Sequence, residues 1–481
     1  MPAEPARIAV IGGGITGLVA AHHLAAAGVP LTLFEAQPRW GGVIRTERVE
    51  GFLLEGGPDS ILAQKPDGVA LCRELGLGEG LVPTRPPRTV YVLRRGKLHP
   101  LPEGVLGIPG RVGPFLRTGL FSWRGKLRMA FDLVAPRGGE GDESIASFLR
   151  RRLGQEAVDR LGQPLMAGIH SGDPERLSLR ATFPRLAELE ARHRSLLRGF
   201  RAAARAKTPG PPAGPTGFGS VFVTLRAGLG ALVEALVATL PPASLRLGAS
   251  VASVARTGAG FSLRMADGAR ETASAVILAV PPPHGALMLA DLDRELADLL
   301  AAIPFVSTAA VFLGYRREDV AHPLDGHGVI VPWTEGLRTS ACTFFSSKFA
   351  GRAPEGHVLL RGFLGSARDT GVLASTDAEL AQIVRDELGP LLGLRGEPVL
   401  VRVYRWPGGT PQMEVGHLER MARIEARLAA WPGLALAGAG LRGAGLPDCI
   451  ADGRSAAAVT RALLSARGPS AGFSGSPQGK G

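Results

Sequence analysis

Cysteine and tyrosine each occur only three times in this 481-residue chain, and aromatic residues make up 5% of it. Cys72, Cys342 and Cys449 are scattered and odd in number. They outline neither a disulfide framework nor a metal cluster, so no metal is expected and a reducing, cytoplasmic setting follows. Long apolar runs are missing as well: none approaches the ~18–20 residues of a membrane span. The N-terminus has no basic stretch ahead of an apolar one and enters a strand at once, so no secretory leader is expected. No period of solenoid or propeller length recurs. Nucleic acid is a poor partner, because no Lys or Arg run is interleaved with aromatic rings.

What is present is a globular balance of 45% hydrophobic and 20% charged residues, in a chain long enough for two or three domains. Lys and Arg number 55 against 43 Asp and Glu, a net charge of +12. That excess favours an anionic partner such as a phosphate, a carboxylate or a lipid head group.

The densest signal stands near the first residue. Arg7-Ile8-Ala9-Val10-Ile11 is an apolar β-branched strand that runs into Gly12-Gly13-Gly14-Ile15-Thr16-Gly17, a Gly-x-Gly-x-x-Gly turn opening an Ala- and Leu-rich helix to Ala27. Gly12 permits the tight turn, Gly14 lets backbone approach a pyrophosphate, and Gly17 lets helix pack close on strand. The helix start offers free N–H groups and the positive end of its dipole to that pyrophosphate. A second strand, Leu31-Thr32-Leu33-Phe34, ends on Glu35, where a carboxylate can bind the two hydroxyls of an adenosine ribose.

Further along, Val90–Leu93 and Leu98 form a hairpin with Arg95-Gly96 in the turn. Helices are expected over Trp123–Val134, Ser144–Leu153, Glu156–Leu165 and Ala181–Ala206, and the Pro- and Gly-rich stretch Lys207–Pro215 reads as a loop or lid hinge. A strand at Val221–Arg226 and a helix at Ala231–Leu240 lead to strands around Leu245–Val254 and Phe261–Met265. Ala275–Pro281 is apolar on both faces, as a buried parallel strand should be. An αβ region spans 285–405, Leu434–Gly440 is a second buried strand, and Pro447–Leu464 an Ala-rich helix. The Gly/Ser/Pro-rich end from Gly468 is expected to be disordered.

Three more glycine-rich turns carry candidate chemistry. Arg39-Trp40-Gly41-Gly42-Val43 adds a Gly pair beside the first loop and a guanidinium for phosphate. Gly56-Gly57-Pro58-Asp59-Ser60 can pass along a flat ring system. Gly438–Ile450 ends a strand in a glycine-rich loop, with Pro447 placed as the first helical residue. The N–H groups of that helix suit negative charge developing on a reduced flavin ring. Cys449 reads as a packing residue, since no second Cys lies nearby.

Together with Tyr91–Leu93, Gly96–Pro102, Gly168–Pro174, Phe183–Leu186, Glu190, His193–Leu196, Arg405–Pro407, Pro411-Gln412, Gly416-His417 and Gly443–Cys449, these motifs cover about residues 7 to 465. On them the chain resembles the oxygen-dependent porphyrinogen oxidases, flavoproteins of the amine-oxidase superfamily that make protoporphyrin IX or coproporphyrin III. The resemblance implies an α/β fold in which a Rossmann-like FAD-binding domain is split along the chain. A mixed α+β substrate-binding domain and an inserted helical domain accompany it. The FAD domain would take 1–85, 221–285 and 411–466; substrate strands and the inserted, membrane-associating helical domain would take 86–220; the substrate domain would take 286–410, and 467–481 would be a disordered tail.

Carried over by position, the resemblance implies FAD contacts at Gly12, Gly13, Gly14, Ile15, Thr16, Gly17, Glu35, Ala36, Arg39, Gly42 and Val43. Gly57, Pro58, Asp59 and Ser60 extend this set. Val251 would meet the adenine end through its backbone, and Trp406 with Ala444, Gly445 and Leu446 would lie by the flavin. No Cys falls in 395–415, where some amine oxidases attach flavin, so the FAD is expected to be noncovalent. Arg88 is the candidate for a substrate propionate, and Gly168 lies where a backbone carbonyl comes near the macrocycle. No side chain is expected to be catalytic, flavin N5 being the hydride acceptor; His170, in a loop, is given no role. The chain departs from the usual pattern at His170-Ser171, where Tyr-Ala is common, and at Pro447, where Asn often stands.

The implied reaction is a six-electron oxidation of a porphyrinogen in haem biosynthesis, with O2 as acceptor and H2O2 as product. The resemblance leaves room for peripheral attachment to the inner face of the cell membrane, for a homodimer, and for hand-over of product to the next haem-pathway enzyme. Two rivals stand beside it: another amine-oxidase-type enzyme, such as a polyamine oxidase or carotenoid desaturase, and a noncatalytic flavin- or porphyrin-binding protein. Three tyrosines and a basic chain are poorly suited to an aromatic cage for cationic amines.

Overall fold

The computed structural model describes residues 7–101, 104–105, 108–109, 116–139, 141–206, 218–258 and 260–466. The proline-rich stretch Lys207–Pro215 and the C-terminal tail lie outside these residues.

Ile8–Ile11 is the central strand of a five-stranded parallel sheet. Leu31–Glu35 and then Leu245–Leu247 lie on one side, Ala275–Leu278 and then Leu434–Leu436 on the other. Alternation explains its burial on both faces. Ile8 and Val10 pack with Leu18, Leu24 and Ile450 of the helices Ile15–Ala26 and Leu446–Ala466. Ala9 and Ile11 pack with Val254, Phe261 and Leu263 of an antiparallel sheet built from Val251–Arg256, Phe261–Met265 and Arg270–Ala273. The direction of strand succession reverses at Ile8–Ile11, the switch point that leaves a ligand crevice at the carboxyl ends of α/β sheets. The topology is Rossmann-like.

A second, seven-stranded mixed sheet runs Leu400–Pro411, Phe305–Arg316, His357–Leu364, Ala341–Phe344, Gly328–Ile330, Val90–Arg94, Lys97–Pro100. Helix Asp377–Leu392 covers one face through Leu380, Val384 and Leu388. The hairpin turn falls on Arg95 and Gly96, both at positive φ. Helices between Trp123 and Ala206 share a core of Phe148, Leu149, Leu161, Leu186 and Phe200. Within it Arg152 and Asp132, both fully buried, pair at 2.6 Å, and Ser195 donates to the same carboxylate.

Several boundaries differ from the sequence reading. Ala181–Ala206 is not one helix: it breaks into Leu179–Thr182, Pro184–His193 and Leu196–Ala206. Pro184 cannot continue the first, and Arg194 at φ 56° ends the second. Leu245–Val254 divides into strands belonging to two sheets, so Val251 opens its own strand and is not on the one from Leu245. Trp123–Ala130 passes into a tighter turn at Phe131–Leu133, and the helical path from Gln155 contains a wide turn at Val158–Gly162. His170 ends helix Gln163–His170 rather than sitting in a loop. Pro447 is the second residue of its helix, not the first.

Candidate active site at the crevice

The opening turn is shaped by close approach. At Gly12, φ is +109°, and a Cβ there would lie 2.4 Å from the Ala279 carbonyl oxygen. At Gly17 it would lie 1.9 Å from the Gly12 oxygen, so helix and turn touch backbone to backbone. Gly14 is different. No atom lies within 4 Å of its virtual Cβ, and as the residue before helix Ile15–Ala26 it brings no side-chain cap. The N–H groups of Ile15, Thr16 and Gly17 therefore start the helix uncapped beside open space, which is the form of an anion cradle.

Glu35 closes the cradle laterally. One carboxylate oxygen accepts the Gly13 N–H at 2.6 Å and the other the Gln37 N–H at 2.7 Å, leaving each oxygen a lone pair for a hydroxyl. Ala36 is exposed next to it. The Ala249 N–H donates to the Glu35 carbonyl at 2.8 Å, which carries the start of the Val251 strand to the same edge. The second glycine pair arrives as expected in space: the Gly41 N–H donates to the Gly13 carbonyl at 2.8 Å, and a Cβ on Gly42 would meet Gly14 Cα at 3.2 Å. Val43 is exposed beside it. The Arg39 guanidinium is committed to the carbonyls of Gly42 and Ile44. In this structure it braces the turn rather than reaching into the open space.

A second group assembles around Gly56–Ser60. A Cβ on Gly57 would fall 1.8 Å from the Val43 carbonyl oxygen, so the third glycine turn stacks on the second. Trp406 Nε1 donates to the Gly56 carbonyl at 2.8 Å, and Arg361 donates to that of Gly57 at 2.6 Å. Pro58 leads into Asp59, whose carboxylate receives Lys348 Nζ at 2.8 and 3.0 Å and the Ser60 hydroxyl at 2.6 Å. Burial pushes the Asp59 pKa up, but the charges of Lys348 and Arg361 with the hydrogen bonds from Lys348 and Ser60 outweigh it and hold the group at about 2. Glu55, fully buried just before this turn, is pushed up to about 7 by burial despite the hydrogen bonds from Leu229 and Thr46.

The far end of the chain returns to the near one. Helix Leu446–Ala466 crosses Ile15–Ala26 so closely that a Cβ on Gly453 would sit 2.5 Å from the Thr16 carbonyl oxygen. The loop Ala444-Gly445 before it is half to fully exposed, and Leu446 is buried. Lys65 pairs with Asp448 in the first turn, and a Cβ on Gly440 would meet Pro411 at 2.9 Å. The strand that carries Trp406 thereby reaches the loop.

Arg88 and Gly168 are placed less centrally. Arg88 is exposed and donates to Thr84 through Nε at 3.0 Å and Nη2 at 3.1 Å. Thr84 bonds Ser220 at 2.8 Å, two residues from Phe222, whose ring lies 5.7 Å from Lys348 Nζ. Arg88 thus sits on the rim of the Asp59 wall. Gly168 is exposed on a helix packed over strands Gly328–Ile330 and Ala341–Phe344, and no contact joins it to Arg88 or Asp59 among the described residues.

Lys348 and Arg361 were absent from the sequence reading. The available signal was a lone cation among phenylalanines and serines in Phe344–Phe349 and another in the apolar string Val358–Leu364. The three cysteines are free and buried, each pushed up to about 12 by burial. One group of ligand-type side chains, His22, His23 and Glu74, is spanned by the Arg454 guanidinium, which donates to His23 at 2.9 Å and to Glu74 at 2.7 Å.

A Rossmann-type cradle joined to a glycine turn under a second sheet is the frame of a dinucleotide-binding protein, and the chain belongs to the family described as flavin containing amine oxidoreductase, whose profile matches residues 15–460. Within that class it is closely related to the coproporphyrinogen and protoporphyrinogen oxidases. It is 37% identical to the coproporphyrinogen III oxidase of Bacillus subtilis over 95% of this chain and 98% of that one. To the chloroplastic protoporphyrinogen oxidase of Nicotiana tabacum it is 30% identical over 96% and 87%. A crystal structure of a protein provisionally named protoporphyrinogen oxidase, from Exiguobacterium sp. 255-15, superimposes with a TM-score of 0.85 at 33% identity, covering 96% of this chain and 99% of that one.

Proposed function

We propose that the protein is an FAD-dependent porphyrinogen oxidase of haem biosynthesis, and that coproporphyrinogen III is its preferred substrate over protoporphyrinogen IX. The overall change is porphyrinogen plus three O2 to porphyrin plus three H2O2, a loss of six electrons and six protons. The observation that carries this reading is the uncapped cradle at Gly14 set against the Gly56–Ser60 turn, with the Ala444–Leu446 loop closing the third side. The higher identity to the B. subtilis coproporphyrinogen III oxidase than to the plant protoporphyrinogen oxidase favours the four-carboxylate substrate.

The residues present fit FAD. The open space at Gly14 would admit a pyrophosphate against the N–H groups of Ile15–Gly17, Glu35 keeps acceptor capacity for ribose hydroxyls, and Val251 would meet the adenine end. FAD, bound noncovalently, supplies the two-electron acceptor. This chain's own part is to position and to set charge. Trp406 and Arg361 hold the Gly56 and Gly57 carbonyls, and with them the turn, in one conformation. The Asp59–Lys348 pair keeps a fixed dipole at that turn. Arg88 on the rim offers a guanidinium to a substrate carboxylate.

We extend the proposal to the membrane. Trp123, Leu127 and Phe131 recur every four residues and are 66, 72 and 53% exposed, with Val134 at 69% and Arg124 and Arg128 interspersed. Apolar knuckles among cations suit the interface of an anionic leaflet. No helix among the described residues is long and apolar enough to cross a membrane.

The test is direct. The purified protein is examined for a flavin absorbance, then given coproporphyrinogen III and protoporphyrinogen IX separately under air. Porphyrin fluorescence rising with peroxide, faster on the first substrate, is the expected result. A yellow protein inert to both but active on an amine would hand the site to the polyamine-oxidase reading. A yellow protein with no turnover at all would make it a carrier.

A further inference from the structure

The segment Arg85–Pro87 and the turn Ser346–Ala353 border an open-sided cavity of about 350 Å³. Its charged lining is all of one sign: Arg85 and Arg352 border it together with the hydroxyls of Ser346 and Ser347, and no Asp or Glu does. Arg352 is the telling member. It is 1% exposed, yet no carboxylate lies within ion-pair distance of it among the described residues. Its Nη1 donates to the Arg226 carbonyl at 3.3 Å, and its Nη2 to Thr224 Oγ1 at 3.2 Å and the Leu225 carbonyl at 3.0 Å. All are neutral acceptors, and its Nε has no partner.

A buried cation without a counter-ion is costly. The two carboxylates whose charge favours it are otherwise disposed: Asp59 is taken by Lys348, and burial pushes the Glu55 pKa up, towards its uncharged form. Arg85 is exposed at the cavity mouth and Ser347 half-buried, and neither has a carboxylate partner among the described residues. The volume is at the small end of ligand pockets, which run from about 300 Å³ upward. That is ample for a phosphate-sized or small polycarboxylate ion.

We infer that this cavity is a binding site for a small oxyanion held by Arg85 and the serine hydroxyls, its charge offsetting through space that of Arg352 buried in the wall. The inference stands apart from the porphyrinogen reading. Its test needs no turnover, so either can fail alone.

The holoprotein is titrated calorimetrically, and its melting followed, with inorganic phosphate and with citrate, ionic strength being held constant with sodium chloride. Saturable one-site binding with a raised melting temperature is expected, and Arg85→Gln and Ser347→Ala should each weaken it at least tenfold while melting as the wild type does without anion. Saturation by phosphate marks a phosphate-type ligand, and saturation by citrate alone a carboxylate-type one; both support the site. If neither ion saturates beyond chloride, or if both variants bind like the wild type, the inference falls.

Discussion

Lys348→Met isolates the electrostatics of the Gly56–Ser60 turn. Lys348 and Asp59 are 14 and 12% exposed, and their nitrogen and oxygens lie 2.8 and 3.0 Å apart. Taking one partner from a buried pair costs about 3–5 kcal/mol, because the other charge is left uncompensated. Here Arg361 and the Ser60 hydroxyl still face Asp59, so the lower end, about 3 kcal/mol, is expected. The pH dependence gives a second handle. The Asp59 pKa falls from 3.8 to about 2 on folding, which corresponds to about 2 kcal/mol of stability. As the folded value is the lower one, that stability is complete above the unfolded pKa near 4 and is lost as pH falls through about 2. Without Lys348, burial prevails over the remaining partners and the Asp59 pKa moves upward, so the variant loses less stability in acid than the wild type does. Urea unfolding of the wild type, Lys348→Met, Asp59→Asn and the double variant measures the coupling directly. The double variant should be less destabilised than the sum of the singles by about 2 kcal/mol. If Lys348→Met unfolds within about 0.5 kcal/mol of the wild type, or the two changes simply add, the pair does not organise the turn.

Gly14→Val should fold with an unchanged apo melting temperature, since the space around it is open, yet retain no FAD; flavin kept at full occupancy refutes the cradle. Gly17→Ala, by contrast, forces a Cβ onto the Gly12 carbonyl and should lower stability by 1–3 kcal/mol or so with or without cofactor, read by chemical unfolding. Glu55 has its pKa raised on folding, so it favours the folded state below the unfolded value near 4.5, and this is lost as pH rises through about 7. Glu55→Gln should remove roughly 3 kcal/mol of pH dependence over that window, and an unaltered stability–pH curve would contradict it. Changing Trp123, Leu127 and Phe131 together to Ser should abolish co-sedimentation with anionic vesicles without lowering the melting temperature, since all three side chains face water. Arg88→Ala should raise KM for the porphyrinogen more than it lowers kcat; an unchanged KM removes the propionate role.

The parts of the fold legible in the sequence are those where one local signal dominates. Ile8–Ile11, Ala275–Leu278 and Leu434–Leu436 announce themselves by being apolar on both faces, and the hairpin by Arg95-Gly96 between alternating strands. Helix ends were harder wherever a single residue decided them. Arg194 carries no sign that it will adopt φ 56°, and Ala- and Arg-rich sequence on both sides kept the helical pattern running through it. Gly41-Gly42 was legible as a glycine pair beside the first loop and does lie against Gly13 and Gly14, whereas nothing local announced that Gly57 would stack on Val43. Lys348 and Arg361 escaped because their significance depends on pairing with a turn some three hundred residues away, and nothing local encodes that pairing. Arg39 shows the same limit from the other side: a guanidinium near a phosphate loop can be used up on backbone carbonyls.

The contact of Gly453 with Thr16 also sets the order in which the molecule can mature. His23 and Arg454, bonded across those same two helices, are 431 positions apart, so this wall of the nucleotide cradle is complete only when two segments far apart in sequence have met. The first βαβ unit can form from local contacts, whereas its packing against Leu446–Ala466 waits on a contact of very high sequence separation, the kind that forms slowly.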